Sequence, residues 1–315
     1  MDAMFIRYII VFSITSLMFG RETIGAGLYE DELISYLRGN YKTSATLGYA
    51  DARDTMYLRI DRIDGQVKGV YTNYAVDLPE TGVDPSIHLY ENGINCEHIW
   101  PQSMYEEGGD NSLMRCDLHH LRPSKENVNS SRGNKPFGEN PDSQTDTWFW
   151  MSQSQSSIPS NNIDEYSESE TAYFEPREDR KGDIARSVFY FYTMYSGVSY
   201  GDFFESQKDI LKIWHELDPV DEEETSRTWA IAGYQQNKPN PYILDESLIW
   251  RAYFYDGSLL GDINEDGIVN ILDIVELINI IMGDENATPT ADINGDGAYN
   301  VLDVVMLANI IISEN

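Results

Sequence analysis

The chain has 315 residues, with 22 Lys and Arg against 53 Asp and Glu and a formal net charge of −31. That length suits about two domains, each with room for a real core. A charge of this size, spread evenly, would exclude a polyanionic ligand, because nucleic-acid binding needs Lys and Arg near phosphates.

At the N-terminus Arg7 is followed by an apolar run over residues 8–19. It is too short to span a bilayer and has the length of a signal-peptide apolar region. Residues 1–25 are therefore expected to be a leader, cleaved between Ser16 and Ala26, and no later stretch is expected to span a membrane. Residues 28–37 and 49–63 carry near-helical spacing of apolar side chains. Residues 66–74 are strand-like, and residues 77–86 form a Pro/Gly loop.

Residues 95–138 are the chemical centre of the sequence. Within them, residues 111–138 hold Arg115, Arg122, Lys125, Arg132 and Lys135 against Asp117 and Glu126, a local charge of +3. Hydrolysis of a phosphodiester needs an activated water, a cation on the departing oxygen and charge stabilisation at phosphorus. His98 can take a proton near neutral pH, and Glu97 is a hard carboxylate beside it. Trp100 and Pro101 end the strand that carries both. Adjacent strand residues face opposite sides, so Glu97 and His98 share a site only if the strand twists or ends there. Residues 118–121 form a second short strand, and Pro123 and Ser124 open a helix with Ser124 as N-cap. Lys125, Asn129 and Arg132 then fall at i, i+4 and i+7 on one helix face, a layout suited to a metal-bound phosphate. Cys96 and Cys116 are the only cysteines. In an exported chain they suggest a disulfide across this unit. The alternative is a structural zinc site made with His98 and His119. His119 and His120 are equally readable as structural.

Residues 139–171 are polar and aperiodic, and are expected to form a long surface loop around Trp148 and Trp150. Residues 180–195 predict a strong helix with Ile184, Val188, Phe191, Tyr192 and Tyr195 on one face. Arg177, Arg180, Lys181 and Arg186 read equally as a solvated face or a nucleic-acid track. Further helices are expected at 204–216 and 221–233, then a turn at 237–241 and a closing element at 248–255. His88 and His215 have no chemical company and receive no role.

The last 60 residues are a repeat. Residues 262–282 and 292–312 are identical at 13 of 21 positions, and residues 256–315 hold 12 acidic residues and no Lys or Arg. Oxygen ligands stand at loop positions 1, 3, 5, 9 and 12: Asp262, Asn264, Asp266, Asn270 and Asp273, then Asp292, Asn294, Asp296, Asn300 and Asp303. Gly267 and Gly297 occupy position 6, where a calcium loop turns sharply, and hard oxygen donors in this number suit Ca²⁺. The helices after each loop are too apolar to hide in each other alone, so some of their surface must face a partner or the rest of the chain.

The repeat resembles the dockerin module, with Asp in place of the EF-hand Glu at position 12. That resemblance implies two Ca²⁺ and docking to a cohesin-like partner. After each ninth position stand Ile-Leu and Val-Leu, where many cellulosomal dockerins carry small hydroxyl residues. Residues 28–255 resemble the endonuclease I family of secreted ββα-metal nucleases, the His-Me finger enzymes. The matching segments are EHIWPQS at 97–103, DLHHLRPSKENVNSSRGN at 117–134, EPREDRKGDIAR at 175–186, and the DPVDEEETSR to NPY stretch between 218 and 242. The implied fold class is α+β: a mainly helical domain, residues 28–255, with an embedded ββα-metal finger. A small all-α dockerin-like module of two calcium loop-helix repeats, residues 261–313, follows. The implied activity is Mg²⁺-dependent endonuclease cleavage of DNA, often RNA too, with little sequence preference and 5′-phosphate products, by a secreted monomer. His98 is then the general base, Glu97 and Asn129 the Mg²⁺ ligands, and Arg115 the transition-state cation in the strand before the second motif. Lys125 and Arg132 are the substrate contacts, with Asn134 in a supporting role. His120 stands where the motif usually has Asn. The rival reading is a calcium-dependent cohesin-binding scaffold protein whose finger is structural.

Overall fold

A computed structural model describes residues 23–105, 111–197, 199–255, 260–264, 269–283, 288–295 and 297–313. The expected leader lies outside these residues up to position 22, as do Asp266, Gly267 and Asp296. Among the described residues no helix is long and apolar enough to cross a membrane.

Helix α1 (Glu30–Tyr41) is followed by α2 (Tyr49–Thr55), which runs on as a π turn over Met56–Ile60. Strands β1 (Arg62–Ile63), β2 (Gln66–Lys68) and β3 (Ala75–Asp77) form an antiparallel sheet in that order. The strand-like stretch is thus two strands joined by a turn. Helix α3 (Pro85–Glu91) lies just past the expected loop, capped by Asp84, whose side chain accepts from the Ile87 N–H. Next come β4 (Ile94–His98), α4 (Asn111–Cys116), β5 (Leu121–Lys125) and α5 (Glu126–Arg132). Strands β4 and β5 pair antiparallel, with Glu97 opposite Arg122 and His98 opposite Leu121.

Residues 139–171 depart from expectation. They contribute β6 (Thr147–Trp150), β7 (Gln153–Gln155) and β8 (Ser167–Ser169), which join β9 (Phe174–Glu175) in a sheet of order β7-β6-β8-β9. Their strands are three or four residues long, β7 and β8 polar and β6 aromatic, so no alternation is long enough to read. Burial of Trp148 and Phe149 holds the sheet to the body.

Helix α6 (Lys181–Tyr195) is the axis of the larger core. Fourteen of its residues are buried, more than one amphipathic face. Its apolar side packs Ile184, Val188, Phe189 and Phe191 into a cluster with Tyr71, Trp100, Phe137, Phe174 and Trp214. Its polar side is buried through ion pairs with neighbouring elements. At its start an added Cβ on Gly182 would stand 2.0 Å from the Asp218 carbonyl oxygen, so only glycine permits that approach. Helices α7 (Gly201–Glu205), α8 (Lys208–Leu217), α9 (Glu222–Ala232), α10 (Pro241–Leu244) and α11 (Leu248–Tyr253) pack around it. A second cluster joins Met56, Tyr57, Val67, Leu89, Ile94, Cys96, Cys116 and Leu121. Strand β4 therefore runs between two cores, with Cys96 in one and the Ile99 and Trp100 that follow it in the other.

A third cluster forms within residues 260–311, where Ile263, Leu277, Ala291, Ile293 and Leu307 meet between α12 (Ile271–Met282) and α13 (Val301–Ser313). The outer faces stay exposed, including Ile271, Leu272, Val275 and Met282 on α12 and Val301, Leu302, Val305 and Ile312 on α13. Among the described residues nothing covers them.

Candidate active site

Strand β4 ends at His98, and the side chains of Glu97 and His98 diverge as the pleat requires. Glu97 is buried and accepts from the Tyr71 hydroxyl at 2.7 Å, with the Arg132 guanidinium at 3.4 Å. Burial pushes its carboxyl pKa up, against the opposing pull of Arg132 and Tyr71. His98 points the other way. Its Nε2 lies 3.1 Å from the Arg115 carbonyl oxygen and its ring stacks on Tyr49 at 5.6 Å. A carbonyl can only accept, so Nε2 carries the proton and Nδ1 holds the free lone pair. Among the described residues Nδ1 meets only the Gln102 amide, at 3.4 Å. Burial, then the neighbouring His120, lowers the His98 pKa to about 3, so the ring is neutral near pH 7.

Helix α5 brings Asn129 to β4, where its Nδ2 donates to the Cys96 carbonyl at 3.1 Å. That bond orients the amide and turns Oδ1 away from the strand. Glu97 and Asn129, which bonds the carbonyl of the preceding residue, thus offer hard oxygen donors, a set that fits Mg²⁺ better than a soft metal. A divalent cation there would offset the desolvation of the Glu97 carboxylate. Zinc is a different matter. Among the described residues no three His, Cys, Asp or Glu side chains converge as metal ligands, which removes the Cys96, His98, Cys116 and His119 alternative.

The cysteines are free thiols in the structure, so the expected disulfide is not formed. Each thiol is engaged separately, Cys96 with Tyr49 and Cys116 with Thr46. Burial raises the Cys96 pKa to about 12, so it remains a thiol.

Several other expectations are revised. Arg115 lies in the last turn of α4 rather than in a strand, and its side chain is exposed. Pro123 and Ser124 sit within β5, and Lys125 rather than Ser124 precedes the helix. Lys125 pairs with Ile94, four residues along the strands from His98, roughly 13 Å at strand rise. Its ammonium bonds the Ser152 carbonyl at 3.1 Å, so it is remote from the base. Arg132, expected at a phosphate, is fully buried. Its guanidinium bonds the carbonyls of His98 at 3.2 Å and Ile99 at 2.7 Å, and lies over the Phe137 ring. It braces the end of β4 from inside, where substrate cannot reach.

Residues 117–121 form the turn behind the base. Asp117 is fully buried and accepts from the Tyr190 and Tyr195 hydroxyls at 2.9 Å, the Gln235 amide at 2.9 Å and the His119 N–H at 3.1 Å. His119 Nε2 donates to the Lys238 carbonyl at 2.8 Å, and His120 Nε2 to the Met114 carbonyl at 2.5 Å. Both rings are held by backbone carbonyls, and burial lowers both pKa values to about 4. Their ¹⁵N resonances should therefore stay those of neutral imidazoles from pH 8 down to about 5. A ring titrating near pH 6.5 would contradict this placement.

The candidate nucleic-acid track is neither solvated nor free. Arg177 pairs with Asp179, Arg180 with Asp183 and Glu223, Lys181 with Glu139, Glu175 and Glu178, and Arg186 with Glu224. His215 lies beside Arg186 Nη1 at 3.2 Å. Sequence reasoning gave no role to Tyr71, Tyr49 and Gln102, which hold the site; Gln102 lies in the 97–103 segment, while Tyr71 and Tyr49 carry no motif and reach the site only through the fold.

In the C-terminal repeat Asp273 and Asp303 are fully buried and reach back into their own loops. Asp273 accepts from the N–H groups of Ile263, Asn264 and Asn270, and Asp303 from those of Ile293, Asn294 and Asn300. Asn270 and Asn300 cap the helices by accepting from Leu272 and Leu302. Asp292 Oδ2 accepts from the Gly297 N–H at 2.9 Å, across a turn in which Gly297 has φ +74°. The oxygen-rich loops fit a hard cation.

Comparison with known proteins agrees with this division. The Endonuclease I family model matches residues 31–246, and the Dockerin type I domain model matches residues 260–312. An extracellular ribonuclease of Bacillus subtilis (strain 168) is 32% identical over 167 residues, covering 47% of this chain and 50% of that protein. An extracellular ribonuclease of Bacillus amyloliquefaciens is 32% identical over 217 residues, covering 58% of this chain and 67% of that protein. The chain thus spans half the length of the first relative. With its segments falling in the family's order, the chain belongs to the Endonuclease I family and carries a dockerin type I segment after the family domain.

Proposed function

We propose that the chain is a secreted, Mg²⁺-dependent endonuclease of low sequence specificity, acting on DNA and RNA, with a calcium-binding tail that docks it to a cohesin-like protein. The observation that carries the reading is His98 at the end of β4, with Nε2 fixed by the Arg115 carbonyl, one residue along the strand from Glu97 and two from the carbonyl that Asn129 bonds. In this reading β4, β5 and α5 are the metal finger. Mg²⁺ held by Glu97 and Asn129 supplies Lewis-acid charge at the departing 3′-oxygen. His98 Nδ1 accepts the proton of the attacking water, which replaces the long Gln102 contact. The exposed Arg115 stabilises charge on the phosphoryl oxygens. Tyr71 and Arg132 fix the Glu97 carboxylate, and the resulting product keeps its 5′-phosphate. Lys125, remote from the base, is left with a contact to a distal stretch of substrate backbone.

The test is incubation of plasmid and RNA with the purified protein in Mg²⁺ against EDTA. Cleavage that vanishes with EDTA and returns with excess Mg²⁺ is expected; cleavage indifferent to chelation would sink the metal-finger reading. In the tail, Asp262, Asn264, Asp266, Asn270 and Asp273 hold one Ca²⁺, and Asp292, Asn294, Asp296, Asn300 and Asp303 the other. Ca²⁺ at a hundred times its Kd should stabilise the tail by about 2.7 kcal/mol per site. A melting transition of the tail unmoved by Ca²⁺ would count against it. The exposed apolar stripes of α12 and α13 favour docking, since a monomer seldom leaves such faces uncovered.

A further inference from the structure

Seven described arginines lie within ion-pair distance of a carboxylate: Arg122, Arg132, Arg177, Arg180, Arg186, Arg227 and Arg251. In a chain with 53 acidic residues that is the expected fate of a guanidinium. Of the other described arginines, Arg38 and Arg62 bond backbone or hydroxyl oxygens, Arg59 is exposed, and Arg53 and Arg115 share a setting of their own. Neither has a carboxylate partner among the described residues, and both lie over the same ring. The Arg115 guanidinium carbon is 4.1 Å from the Tyr49 ring centroid and that of Arg53 is 4.9 Å. Tyr49 and Arg53 stand one turn apart on α2, and Arg115 comes from α4. The same ring stacks on His98, and its hydroxyl shares a hydrogen bond with the Cys96 thiol on β4. One tyrosine thus ties two guanidinium groups to the candidate base.

Two further observations point to a ligand. Arg53 Nε is buried and has no hydrogen-bond partner, an orphaned donor that a folded chain rarely leaves. Beside the ring, a groove of about 600 Å³ runs between residues 45–49 and Leu113, Arg115 and Cys116. Arg115 lines this groove together with Tyr49, the ring that Arg53 also covers, a setting that suits a polyanion.

We propose that Arg53 is a second phosphate-binding side chain, set on Tyr49 beside Arg115, and that it contacts the backbone phosphate next to the scissile one. Tyr49 is the positioning residue for both arginines and for His98. This rests on the nuclease reading above and adds to it a contact that no motif announces. Guanidinium suits the role because its planar fork matches phosphate oxygens, and stacking on Tyr49 holds the fork in place before substrate arrives.

The test is binding of a short fluorescent DNA duplex at a series of salt concentrations, by the uncleaving His98→Ala protein with and without Arg53→Gln. Each phosphate contact contributes a slope of about 0.9 in log affinity against log salt, so Arg53→Gln should flatten the slope by about that amount. Arg53→Lys should keep the slope. Arg59→Gln, an exposed charge on the same segment without a contact to Tyr49, should also keep it. In the cleaving protein the Arg53→Gln loss should fall on KM more than on kcat. Arg53→Met retains the stem that covers the ring and serves where the Gln variant does not fold. Slopes for Arg53→Gln and Arg53→Met equal to the parent's would overturn the proposal. A parent that neither binds nor cleaves nucleic acid fails the nuclease reading itself, which separates the two outcomes.

Discussion

His98→Ala is expected to lower cleavage of DNA by about 10²–10⁴-fold, the usual worth of a general base, while the protein stays folded. The geometry gives three reasons for so large an effect. The Arg115 carbonyl fixes the tautomer, leaving the Nδ1 lone pair as the base. Burial keeps the ring uncharged, with its pKa lowered to about 3. The neighbouring rings cannot substitute: His119 and His120 each give Nε2–H to a backbone carbonyl, and His120 Nδ1 is buried without a partner. Removing the ring leaves a void against Tyr49 and His120, so stability should fall by about 1–3 kcal/mol. Circular dichroism and a melting curve separate that loss from the catalytic one. Full cleavage by a folded His98→Ala protein would end the assignment of His98 as base.

The largest expected effect on stability is at Asp117. Asp117→Ala removes the acceptor of four hydrogen bonds and strands two tyrosine hydroxyls and the Gln235 amide inside the core. Each buried donor left unsatisfied costs about 1–3 kcal/mol. The sum is comparable to the whole stability of an ordinary domain, about 5–15 kcal/mol. The variant should melt at least about 10 °C below the parent, and it should lose activity through the turn that sets His120 beside His98. Tyr190→Phe and Tyr195→Phe, which remove a donor without stranding one, should each cost far less. A melting temperature for Asp117→Ala within about 2 °C of the parent would show that the carboxylate does not anchor the turn.

The centre of the site was legible because its chemistry is local. Glu97 and His98 are adjacent, Asn129 lies on the helix after the next strand, and the strand order β4, β5, α5 follows the sequence motifs. The calcium-loop repeat was legible for the same reason: its spacing of acidic and amide residues is a property of one segment. The limits of sequence appear in the cations. Periodicity put Lys125, Asn129 and Arg132 on one face, yet β5 runs on through Lys125, and the helix that follows turns Arg132 inward beneath Glu97. Nothing local separates a guanidinium that will meet phosphate from one that will brace a strand end. That difference is made by Phe137, the carbonyls of His98 and Ile99, and the exclusion of water around them.

The sheet of β6 to β9 was illegible because its strands are too short for a period, and hydrogen bonding between residues up to 22 apart, as from Thr147 to Ser169, decides it. The expected disulfide was a statement about composition and compartment, whereas the fold gives each thiol its own partner. Sequence by itself determined the two families, the order of their segments, and the candidates for base and oxygen donors, because these are written in short spacings. Tertiary structure alone decided which arginines are buried ion pairs and which remain free beside His98. A charge finds its partner across the fold, at distances in sequence that no motif records.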